Sequence, residues 1–95
     1  MAEREAYREK ADAQLEELQA RIDVLEAKAK QAKAEAKLEY ERTMKELRAQ
    51  QDQIAGQLGE VRGASEEAWD EIKTGIDSAL TNLRTSVNEA AAKFE

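Results

Sequence analysis

Leu15-Glu16-Glu17-Leu18-Gln19-Ala20-Arg21-Ile22-Asp23-Val24-Leu25 sets Leu15, Leu18, Ile22 and Leu25 three, four and three residues apart. Side chains at that spacing stack along one face of an α-helix. The same stepping runs outward in both directions. Tyr7 and Ala11 precede it, and Ala29, Ala32, Ala36, Tyr40, Met44, Leu47, Ile54, Leu58 and Val61 follow it. The ladder resumes with Trp69, Ile72, Ile76, Leu80, Leu83, Val87, Ala91 and Phe94. An all-α chain is expected, with one apolar stripe to bury against other helices.

The rhythm of the steps changes along the chain. From Leu15 to Ala36 they alternate three and four, the heptad pattern of a left-handed coiled coil. Two successive steps of four, Ala36 to Tyr40 and Tyr40 to Met44, form a stutter. Beyond Val61 the pattern becomes four, four, three, an eleven-residue period that suits a straight or slightly right-handed helix. Gly56, Gly59 and Gly63 cluster between the two regimes, and a glycine in a helix interior costs about 1 kcal/mol relative to Ala. Ser65 follows as an N-cap, with Glu66, Glu67, Asp70 and Glu71 near the positive end of the helix it would start.

These signals predict an elongated antiparallel hairpin in a single domain over residues 1–95. Its long helix spans about 3–55, its turn lies within 56–64, and its second helix spans about 65–93. The expected hairpin core is Tyr40, Met44, Leu47, Ile54, Leu58, Trp69, Ile72, Ile76, Leu80, Leu83 and Val87. Charge supports the pairing: residues 1–26 carry net −4, residues 28–48 net +3 and residues 65–95 net −4. Folding the acidic second helix onto the basic middle brings opposite signs together, which selects orientation more than it stabilises.

Such a hairpin is lopsided. At 1.5 Å per residue its helices would be about 80 Å and about 45 Å long, leaving the N-terminal arm uncovered. Contiguous exposed apolar stripes mark interfaces. The expectation is therefore a self-associating coiled coil, with Tyr7, Leu15, Leu18, Ile22 and Leu25 forming the oligomer interface.

Composition narrows the function. Of 95 residues, 38% are charged and 4% aromatic, with no Pro, Cys or His. Disulfides, thiolate metal sites and cysteine nucleophiles are excluded, and the commonest general base and metal ligand is missing. No residue is singled out as catalytic, metal-ligating or cofactor-binding, and no enzymatic activity is expected. The basic run Ala27–Lys37 is interleaved with alanines in a chain of net charge −6, so nucleic acid is not an expected partner. Met1–Glu5 carries no apolar run of the signal-peptide kind, and no stretch reaches membrane-spanning length; a soluble, cytoplasmic protein is expected. The competing reading is an amphipathic helix lying on a lipid surface, for which the eleven-residue period is suited. The acidic polar side of that second helix disfavours anionic bilayers.

Several segments carry a family resemblance. Arg4-Glu5-Ala6-Tyr7, Ala13-Gln14-Leu15, Ile22-Asp23 and Leu25-Glu26-Ala27-Lys28 resemble the opening of a family of small bacterial coiled-coil proteins. The stretch from Gln31 through Tyr40, and Gly63-Ala64-Ser65-Glu66-Glu67-Ala68-Trp69, resemble its middle and its second-helix start. Members occur in cyanobacteria and proteobacteria and are described loosely as stress-response proteins. The resemblance implies a cytoplasmic helical protein tied to stress conditions; the ladder itself points to a non-enzymatic homo-oligomer acting through helix–helix contacts, with itself or other helical proteins as partner. The resemblance brings no cofactor and no catalytic motif.

Overall fold

On the apolar ladder, alanine is all the chain offers between Leu25 and Tyr40, and there the backbone reverses. The computed structural model, which describes residues 2–94, has three helices: α1 (Ala2–Lys30), α2 (Ala34–Glu60) and α3 (Glu66–Phe94). The single helix expected over about 3–55 is thus two helices joined by a turn at Gln31–Lys33.

Nothing local demands this break, because the flanking Ala and Lys residues are among the best helix formers. The end of α1 tightens through i→i+3 bonds, Gln31 N–H to Lys28 O at 3.1 Å and Ala32 N–H to Ala29 O at 3.2 Å. Lys33 is the N-cap of α2, extended at φ −66° and ψ 152°, with no side-chain cap. The reason is tertiary. Turning here forfeits a few backbone hydrogen bonds, each of about 1 kcal/mol net, and strands only alanine methyls. It lets whole Leu and Ile side chains be buried, at about 1.5–3 kcal/mol each.

The helices run up, down and up. Arg48 of α2 meets Asp23 and Glu26 of α1, Tyr7 packs on Trp69 of α3, and Arg21 donates to Asn88 at 2.7 Å. All three pairs of helices are in contact. The molecule measures 50 × 17 × 17 Å, close to the length of one 29-residue helix at 1.5 Å per residue. Of the described residues, 91% are helical and none is in a strand.

This arrangement changes the setting of the N-terminal arm. Leu15, Leu18, Ile22 and Leu25 retain 5, 0, 0 and 3% exposure within one chain, because α2 and α3 are both long enough to cover them. The mismatch in helix length from which a self-associating arm was expected is absent. Met44, Leu47, Ile54, Leu58, Trp69, Ile76, Leu80, Leu83 and Val87 are buried in the same core, with Ile72 half-buried against it, and Tyr40 is buried against Phe94. No polar or charged residue is buried among those described. Near the end of α3 the buried position is Ala90 rather than Ala91, so the step from Val87 is three rather than four.

The second turn occupies Val61–Ser65, at the far edge of the expected interval. Gly56 and Gly59 lie inside α2 on exposed positions, where an added Cβ would meet nothing within 4 Å. The helix absorbs their cost because Ile54 and Leu58 on its other face are buried. Ser65 caps α3, its Oγ accepting the Ala68 N–H at 3.2 Å, as the sequence predicts.

Candidate interaction site

The four aromatic residues sort to the two ends of the bundle. At the end holding the α2–α3 turn, the Tyr7 and Trp69 rings meet edge to face, with centroids 5.2 Å apart at 81°. The Arg4 guanidinium lies 5.3 Å from the Trp69 ring. It donates to the Ala64 carbonyl at 2.6 Å and the Val61 carbonyl at 3.3 Å, and pairs with Glu66 at 3.6 Å. One side chain of α1 therefore fastens the turn between the other two helices. The Tyr7 hydroxyl donates to the Asp77 carboxylate at 2.6 Å and lies 3.1 Å from the Lys73 carbonyl. Burial raises its pKa, and the hydrogen bond and charge of Asp77 raise it further. A phenol held protonated this way is a structural clasp.

At the opposite end Tyr40 stacks on Phe94, with centroids 3.7 Å apart, and donates to its carbonyl at 3.0 Å. Charge pairing departs from expectation here. Across α2 and α3 the ion pair is Glu39 with Lys93, so the cation is on the acidic helix. Arg48 turns instead to α1, bonding Glu26 and, at 2.8 Å, Asp23. These bonds, Glu26 first, raise its pKa.

The remaining basic residues of this end have no such engagement. Lys28, Lys30, Lys33, Lys37, Arg42 and Lys45 are exposed and form no ion pair among the described residues. Between the end of α1 and the start of α2 runs an open groove of about 420 Å³. Ala29 and Met44 form its floor, Lys30, Lys37, Lys45 and Glu41 its rim, and the Glu26–Arg48 pair one wall. Beside Lys37, Leu38 is 60% exposed. Val24, on α1, is 57% exposed; these two are the exposed large apolar residues among those described.

A second, larger concavity of about 580 Å³ lies among Arg4, Arg8, Arg62, Glu5, Glu9, Asp12 and Glu66 at the other end. Its charges are of both signs, and Arg4 is committed to the turn. Among the described residues no group of three or more acidic side chains is placed to hold a metal ion, and no helix is long and apolar enough to cross a membrane.

Tyr7, Leu15, Leu18, Ile22 and Leu25, expected at an intermolecular seam, lie with the hairpin-core residues inside one bundle. The basic groove was missed in the sequence, although a signal exists. Apart from Met1, Val24 and Leu38 are the large apolar residues that fall off the ladder. No protein-family model, no curated protein and no solved structure matches this chain.

Proposed function

We propose that this chain is a non-enzymatic interaction protein, a small helical bundle that presents a fixed outer surface to other helices in a stress-related setting. The observation that carries the reading is how its charged groups divide. At the Trp69 end, Arg4, Tyr7 and Asp77 fasten helices to one another. At the Phe94 end, six exposed basic side chains form no ion pair among the described residues, and three of them, Lys30, Lys37 and Lys45, line an apolar groove with Leu38 exposed beside it. Apolar surface ringed by uncommitted charge is the composition of a contact site. The stress-related setting is carried by the sequence resemblance alone.

A specific observation favours a second reading, in which α3 leaves the bundle to lie on a lipid surface. Gln50 and Gln57 each have a buried Oε1 with no hydrogen-bond partner among the described residues. Gln50 reaches only Ser86 of α3, at 3.4 Å. An unpaired buried carbonyl costs about 1–3 kcal/mol, a cost that separating α3 from α2 would relieve. Circular dichroism of the intact chain at low concentration, with and without phosphatidylcholine vesicles, whose neutral surface does not repel an acidic helix, separates the two. The interaction reading expects full helicity in buffer, unchanged by vesicles. Helix gained only with lipid would overturn it.

A further inference from the structure

We propose that the groove between the end of α1 and the start of α2 receives the outer face of α1 from a second copy of this chain. The inference rests on the interaction reading and names its partner. The groove is apolar at its floor, through Ala29 and Met44, and net basic at its rim, where Lys30, Lys37 and Lys45 outnumber Glu41. Its complement must therefore be acidic, carry an apolar projection and be narrow enough to enter.

The outer face of α1 meets all three conditions. Val24 projects from it at 57% exposure. Glu9, Glu16 and Glu17 stand exposed on the same helix and form no ion pair among the described residues. Exposed Ala13 and Ala20 keep the backbone between them uncovered. The exposed charges are opposite in sign, Glu9, Glu16 and Glu17 on the ridge against Lys30, Lys37 and Lys45 on the groove rim. Neither set of side chains has an ion-pair partner among the described residues, and each is the opposite of the other. Within one chain they cannot meet, because Val24 does not line the groove and belongs to the helix that forms one of its walls.

Two rival occupants fit less well. A lipid bilayer is broad, whereas the floor lies recessed between two helices; a helix about 10 Å across can reach it. A chain of net charge −6 is also repelled from an anionic bilayer or nucleic acid except at this end. The contact joins two different patches, so it is head-to-tail and builds open chains or rings rather than a closed pair. A groove this short falls below the area of a standard stable interface, which makes the association weak and salt-sensitive.

Sedimentation equilibrium on the intact chain, over a concentration series at low and high salt, tests the proposal with two charge-reversed forms. One carries Lys30→Glu, Lys37→Glu and Lys45→Glu; the other carries Glu9→Lys, Glu16→Lys and Glu17→Lys. All six positions are exposed, and circular dichroism checks that each form is fully helical. Wild type should associate reversibly, less at high salt, and each form alone about tenfold more weakly. An equimolar mixture of the wild-type chain with either form should fall between. A groove-reversed form mixed with the ridge-reversed form should associate again, because reversed groove and reversed ridge are complementary. A monomeric wild type, reversals without effect, or a mixture that stays monomeric would overturn the proposal. A helical monomer that ignores vesicles would still leave the interaction reading standing, so the two can fail separately.

Discussion

Leu18 shows what the single-chain core implies at the scale of one residue. It is fully buried between three helices of one molecule, so Leu18→Ala should lower the unfolding free energy by about 2–5 kcal/mol. Urea melts would check this, and the loss should not depend on protein concentration. Gly56 and Gly59 point the other way. Each sits in helical conformation with open space where a Cβ would go, so Gly56→Ala and Gly59→Ala should each stabilise by about 0.5–1 kcal/mol. A thermal melt showing a loss at either site would reveal a contact with another chain. Tyr7 gives a pH signature. Its folded pKa is raised by burial and then by Asp77, so its contribution is fully present below the ordinary tyrosine pKa of about 10 and is lost as pH rises beyond it. Stability measured through the alkaline range should therefore decline more steeply in wild type than in Tyr7→Phe.

At the scale of elements, the sequence exposes what each helix buries better than where each helix stops. The ladder marks the buried face of all three helices, and Ser65 marks the start of α3 through its own hydroxyl. The turn at Gln31–Lys33 leaves no such mark. Its residues favour helix, and the break is decided by what Leu15, Leu18, Ile22 and Leu25 can be buried against some twenty or more residues away, a non-local quantity. Gly56 and Gly59 mislead for the converse reason: an unfavourable propensity of about 1 kcal/mol each is outweighed by the large side chains on the opposite face of α2. The basic groove needs the turn before it exists, so only its off-ladder marker, Leu38, is legible beforehand. Lys33 offers a test at this scale. As an uncapped N-cap, it should respond to Lys33→Asp with a gain of about 1 kcal/mol. In an uninterrupted helix the same change would destabilise, since aspartate is a poor interior helix former. Thermal or urea denaturation gives the sign.

At the scale of the whole molecule, one chain buries its own ladder by folding back twice. A long helix assembling with other copies would bury the same residues, so burial alone does not separate the two. The distance between α1 and α2 does. Glu17 and Gln53 are both exposed, and the contacts of Arg4 with Val61 and of Arg48 with Asp23 bracket them at one level of the bundle. The chain has no cysteine of its own, so Glu17→Cys with Gln53→Cys places two spin labels without further change. Packed helix axes lie about 8–10 Å apart, and with label arms the separation should be about 20 Å. In one continuous helix the same residues would stand about 54 Å apart, at 1.5 Å per residue. Double electron–electron resonance on the labelled chain, diluted with unlabelled protein to remove distances between copies, reads that difference directly. A distribution centred near 20 Å is expected; one centred near 54 Å would contradict the three-helix bundle.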